Sequence, residues 1–198
     1  MDSNAELAAM IGSRICHDLI SPIGAINNGL ELISMSGASH GCEMELISDS
    51  CKSATARIRF FRVAFGSASE TQRIGRREIL SIFDEAKGGR IKLDWRPEGD
   101  LPRTEVQLAF LAFLCFETAM PHGGAIRFDR TPSGWSISAQ SDRMHVDRGV
   151  WTHLGDTPSD EAEINAARVQ FALLPQLAAA YGRKVEASVG ENAIAMRF

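Results

Sequence analysis

An α+β fold is predicted for this chain: an antiparallel helical hairpin at the N-terminus, then an α/β sandwich. Three observations predict it. The first 65 residues carry apolar side chains at steps of three and four, the period of two packed helices. Residues 67–72, SASETQ, are small and polar and read as a linker, which divides the chain into domains at 1–67 and 73–198. Beyond it, helical patterns are interleaved with short strands of alternating polarity.

The elements follow in order. Ser3 and Glu6 form a capping box in which each side chain satisfies a free N–H at the helix start. Leu7, Ile11, Ile15, Leu19, Ile26, Leu30 and Ile33 then trace one helical stripe, which SGASHG (36–41) breaks. In the second helix Met44, Ile47, Cys51, Ala54, Ile58, Phe61 and Phe65 make a heptad seam, and Gly66 stops it. The short connection predicts antiparallel neighbours. Arg76–Ala86 reads as a helix ending at Gly88-Gly89, and 90–96, RIKLDWR, as a strand. Thr104–Met120 opens on a second capping box, Thr104 to Gln107. It is apolar on most sides, so it should be a buried helix. Residues 125–131 and 135–141 read as strands joined at Pro132-Ser133-Gly134. Residues 160–181 read as a helix, and 184–189 and 193–198 as closing strands.

Composition excludes several classes. The 198 residues are 44% apolar, enough for a core, and the net charge of −4 argues against a nucleic-acid partner. MDSNAELAAM does not read as a signal peptide. The longest apolar run, 108–116, is far short of the roughly 20 residues of a membrane span, so no membrane association is expected. Cys16, Cys42, Cys51 and Cys115 form no C-x-x-C pair, which suits a reduced cytoplasmic protein.

One stretch is chemically unusual. ICHDLISPIGAINNGLELI (15–33) sets His17 two positions from both Ile15 and Leu19. Two positions are about 200° of rotation, so His17 points away from the apolar stripe. Arg14, His17, Asp18 and Ser21 then share an outer face. Pro22 removes one backbone hydrogen bond and should kink the helix, and Gly24 and Gly29 weaken it further. Phosphoryl transfer onto nitrogen suits this face. A neutral imidazole offers a lone pair, and Asp18 can accept the other ring N–H, fixing the tautomer. A surface histidine with a solvated acidic neighbour is the plainer reading of the same pair.

The order His17, Asp18, Leu19, Ser21, Pro22 resembles the phospho-acceptor box of two-component histidine kinases. The hairpin and the α/β half resemble a kinase's dimerising and ATP-binding domains. RICHDLISPIGAINNGLELI (14–33) is similar to the ChpT-type histidine phosphotransferases of alphaproteobacterial relays, which keep the kinase scaffold without nucleotide binding. The resemblance implies a homodimer whose hairpins form a four-helix bundle, with His17 as acceptor and Asp18 beside it. It implies a phosphorelay shuttle from the receiver domain of a hybrid kinase to response regulators. No intrinsic cofactor is expected, and Mg²⁺ would sit on the visiting receiver. Kinase nucleotide sites need features missing here. No Asn lies between 28 and 165, and Glu117 is no substitute. SDRMHVDRG keeps Asp142 but lacks the glycines of an Asp-x-Gly-x-Gly turn, and 156–181 contains no glycine for a phosphate lid. Neither ATP binding nor autophosphorylation is therefore expected. An ATP-dependent sensor kinase core and a non-catalytic receiver-binding module are the competing functions.

Other residues carry weaker expectations. A turn near residue 38 would set His17 opposite position 59, where Arg57, Arg59 and Arg62 could steady a transferring group, or simply be solvated. Ser21 could position a hydrolytic water; Asn27 and Asn28 could bond across the bundle or face water. His40, His122, His145 and His153 show no metal-ligand spacing. Phe61 and Phe65 sit on the seam as core residues. Phe60 lies off it, where it could touch a receiver.

Overall fold

The computed structural model describes residues 3–36, 41–69, 71–86, 89–155 and 163–198. The expected break at 37–40 with His40, the Gly88 stop and residues 156–162 lie outside the described residues, as does the side chain of Ser3.

Two long helices come first, α1 (Ser3–Ser36) and α2 (Gly41–Ala64), packed along each other. Helix α1 runs through Pro22 without a break. Gly29 is not merely a weak point: a Cβ there would lie 2.6 Å from Ile47 Cγ1, so the bare backbone lets the two helices approach closely. The stripes divide by level. Leu7, Ile11 and Ile15 pack on the core, whereas Leu30, Met44 and Ile58 are more than half exposed.

The rest is a mixed sheet with helices. Strand β1 (Arg73–Ile74) pairs antiparallel with β3 (Leu101–Pro102). Helix α3 (Arg76–Ala86) and strand β2 (Ile91–Trp95) lie between them in sequence. Helix α4 (Arg103–Ala119) precedes the hairpin β4 (Gly124–Thr131) and β5 (Gly134–Gln140). Gly134, at φ +133°, is required at that turn: a Cβ would lie 2.2 Å from the Phe198 carbonyl oxygen. A short helix, α5 (Arg148–Trp151), continues as a 3-10 turn at Thr152–Leu154. A second 3-10 turn, Ala166–Arg168, leads into α6 (Gln170–Ala180). Strands β6 (Glu186–Val189) and β7 (Ala193–Arg197) finish the chain. The five-stranded sheet has the order β2-β4-β5-β7-β6, with β2 parallel to β4 and the remaining neighbours antiparallel.

Helix α4 is the centre, buried at nearly every position, as its apolar circumference requires. It packs on α2, α6 and the sheet. The core crosses the expected domain boundary: Phe60, Phe61, Val63 and Ala64 of α2 join the cluster built by α3, α4 and the strands.

Three expectations are corrected. Phe60 does not face a partner; it is 3% exposed, its ring stacked on Phe110 at 4.8 Å between centroids. Thr104 does not cap α4, because the helix already begins at Arg103 with Pro102 at its cap position. Gln107 instead donates to the carbonyls of Ala64 and Gly66, at 3.2 and 2.8 Å. Arg103 joins it, donating to the carbonyls of Val63 (2.8 Å) and Arg62, so α4 caps the C-terminus of α2. The single helix expected over 160–181 contains a regular helix only from Gln170. Asn165 is extended, and Pro175 lies inside α6.

A buried ion cluster holds the sheet to α4. Glu105 accepts from Trp135 Nε1 at 2.9 Å and from both terminal nitrogens of Arg183, with Arg130 at 3.2 Å. Burial pushes the Glu105 carboxyl up, but Arg183, Arg130 and the Trp135 N–H outweigh it and hold the group below its ordinary range.

Candidate functional site

The site is built on the fourth and fifth turns of α1. His17 projects into solvent with 85% of its side chain exposed, as the helical rotation requires. Asp18 turns instead toward the sheet domain and is 11% exposed. The Nδ1 of His17 and Oδ1 of Asp18 are 3.2 Å apart. A carboxylate only accepts, so Nδ1 carries the hydrogen in this contact and the lone pair is left on Nε2. That exposed nitrogen is free to attack an electrophile brought by another molecule.

Asp18 is itself held. Arg14, one turn earlier on the same helix face, donates through Nε to Oδ2 at 3.1 Å. Its Nη1 donates to the carbonyl of Ala167 in the 3-10 turn before α6. Arg14 thus ties the histidine helix to the sheet domain. Arg57, across the hairpin on α2, reaches the same Oδ2 at 3.4 Å and is more exposed than Arg14. The longer contact and greater exposure make Arg57 the arginine available to a visiting group.

Behind Asp18 lies a cleft of about 310 Å³ between the hairpin and the sheet domain, lined by Arg14, Asp18, Arg57, Arg90, Glu117 and Pro121 among others. Glu117 is half-buried in the last turn of α4. Burial raises its carboxyl above the ordinary value. Arg57, Arg14 and Arg90 oppose that rise, and Asp18 adds to it.

The structure therefore gathers Arg14, His17 and Asp18, but turns Arg14 and Asp18 inward rather than onto the outer face of His17, and of the three arginines expected opposite it brings Arg57 to Asp18. It takes Arg59 elsewhere: its Nη1 lies 2.6 Å from both Glu85 oxygens, on α3. Arg62 is exposed at the end of α2, where its carbonyl serves Arg103. Ser21 is exposed one turn past His17, and Asn27 and Asn28 are exposed as well. His122 and His145 are exposed and His153 is partly buried. Among the described residues no group of three or more His, Cys, Asp or Glu could hold a metal ion, and no helix is long and apolar enough to cross a membrane. Glu117 and Arg90 were not legible as neighbours of Asp18, because three elements distant in sequence meet there. Ahead of the segment that lacks the glycines of a nucleotide lid, Val150, Trp151 and Leu154 are buried, with Trp151 against Phe116 and Phe171.

Comparison with known proteins yields consistent matches. The family described as Histidine phosphotransferase C-terminal domain matches residues 76–193. The chain is 34% identical over 193 residues to Protein phosphotransferase ChpT of Brucella abortus (strain 2308), covering 92% of this chain and 90% of that protein. It superposes on the 1.7 Å structure of a bacterial phosphotransferase with a TM-score of 0.81 at 31% identity, covering 100% of this chain and 97% of the other.

Proposed function

The chain belongs to the histidine phosphotransferase family, and on that premise we propose that His17 carries the phosphoryl group as it shuttles between receiver-domain aspartates in a phosphorelay. The observation that carries this is the division of labour in the His17–Asp18 pair: Nδ1 engaged at 3.2 Å, Nε2 open to solvent.

The reaction then follows from the geometry. The Nε2 lone pair attacks the phosphorus of a receiver's aspartyl phosphate. The P–N bond forms as the P–O bond breaks, and the electron pair leaves with the receiver's carboxylate. The imidazole becomes cationic as it accepts phosphorus, and Asp18 stabilises that charge through Nδ1–H. Arg14 keeps Asp18 in place. Arg57 swings from its loose contact to neutralise the moving phosphoryl oxygens. The reverse steps return the group to a second receiver's aspartate. Mg²⁺ arrives on the receiver, and the donor is the receiver of a hybrid kinase, with response regulators as acceptors. ATP takes no part in this scheme, a reading supported by the missing Asn and by the lack of glycine over 156–181. Such partners place the protein in the cytoplasm. Ser21, Arg59 and Arg62 have secondary places at most, at the rim that a receiver would cover.

The working form is a homodimer. Ile20, Ile23, Leu30, Leu32, Met35 and Met44 are 49–83% exposed on the hairpin, and a second copy covering them would complete a four-helix bundle. The sheet domain forms part of the receiver-docking surface. The test mixes the purified chain with a phosphorylated receiver. Acid-labile label is expected on the chain from the receiver and none from ATP, with His17→Ala abolishing it while the dimer remains folded. Continued relay by His17→Ala would overturn the assignment.

A further inference from the structure

We propose that Glu117 is a positioning residue of the phosphotransfer site, acting through Arg57 and Arg14 on Asp18 and so on the imidazole of His17. This rests on the assignment of His17 above. Glu117 belongs to the domain that carries no phospho-acceptor, yet it lines the same cleft as Asp18. Three guanidiniums reach that cleft from separate elements: Arg14 from α1, Arg57 from α2 and Arg90 from the residue before β2. Two carboxylates, Asp18 from α1 and Glu117 from α4, face them.

The place of Glu117 is unfavourable for α4 itself. The last turn of a helix carries the negative end of its dipole and favours cations there. A half-buried carboxylate also loses hydration. Glu117 meets both costs at once, so its compensation comes from outside the helix, from the arginines. Burial raises its carboxyl and Arg57, the strongest of the opposing groups, leads the three cations that restrain the rise. Arg57 and Arg14 bond Asp18 and line the same cleft as Glu117, so their charge acts on both acids. Were Glu117 neutral, both arginines would act on Asp18 alone. Its charge would be more fully neutralised, its hold on Nδ1–H would weaken, and Nε2 would become less basic and less nucleophilic.

The full chain tests this with phosphoramidate as a phosphoryl donor that needs no receiver. Nε2 bonds to phosphorus as the P–N bond of phosphoramidate breaks, and ammonia leaves after taking a proton from water. Glu117→Gln is expected to lower the His17 pKa followed by NMR, and to slow phosphohistidine formation by about threefold to tenfold. Glu117→Asp restores most of the rate, and in an Arg57→Ala background Glu117→Gln loses most of its effect. Arg90→Ala, which removes a cation, shifts the His17 titration the opposite way and supplies the test should Glu117→Gln not fold. An unmoved titration in both variants would overturn the proposal, as would an equal effect of Glu117→Gln with and without Arg57. Failure of the wild-type chain to form phosphohistidine would instead count against the role of His17, while the titrations would still judge Glu117.

Discussion

The carboxylate of Asp18 is 11% exposed, while the imidazole of His17 that it meets at 3.2 Å is 85% exposed. One member of the pair is anchored in the protein and the other is offered to solvent. The anchored member keeps the ring's tautomer, so Asp18→Asn is expected to reduce phosphoryl transfer about 100-fold. Its effect on stability is about 1 kcal/mol, because the amide oxygen still accepts from Arg14. Receiver-to-chain label transfer and a denaturation curve measure the two numbers. Full transfer by Asp18→Asn would remove the tautomer argument.

Arginines at 57 and 59 are separated by half a helical turn of consequence. Arg57 reaches Asp18, and Arg59 pairs with Glu85. Arg57→Ala is expected to slow transfer about tenfold, and Arg59→Ala to leave the rate unchanged. Rapid-quench measurement of both variants against one phosphorylated receiver compares them directly, and equal losses would contradict the placement.

Glu105 makes a stability prediction with a defined pH sense. Its folded carboxyl lies below the ordinary 4.5, so the folded protein holds this proton less tightly than the unfolded chain does. The contribution is complete above that ordinary value and is lost as pH falls through the folded one. Glu105→Gln leaves Arg183 and Arg130 without their buried anion and should cost about 3 kcal/mol at neutral pH. It should also flatten stability against pH in the acid range. Urea unfolding at several pH values reads both effects.

Arg103 predicts a joint-specific loss. Its guanidinium satisfies the carbonyls of Val63 and Arg62 at the end of α2. Arg103→Ala should cost about 2 kcal/mol and raise amide exchange over the last turn of α2 before that over the sheet. Uniform exchange across the molecule would contradict a local weld.

Much of this architecture is legible in residue spacing. The hairpin stripes, Arg76–Ala86 as a helix and the strand pair around Gly134 follow from periodicity and turn chemistry. Helix α5 escaped because four residues are too few to show a period, and β1 and β3 because two residues carry none. Phe60 escaped because the end of α2 is enclosed on two sides rather than one, which a single-stripe reading cannot register. At the site, Arg14 and Asp18 were readable as neighbours one turn apart. Arg57 was readable from the register of the hairpin, whereas Glu117, in the cleft behind that carboxylate, and Ala167, which accepts from Arg14, come from distant parts of the chain, and only tertiary packing brings them there.

The four hydrogen bonds from Arg103 and Gln107, three into the last carbonyls of α2 and one to Gly66 just beyond it, bear on how such a molecule works. A kinase that phosphorylates its own histidine must carry a nucleotide to that side chain, and its two halves need a hinge. Here the corresponding seam is stapled, and Arg14 adds a second staple at Ala167. The imidazole thus stands open to solvent above a joint that these contacts hold together.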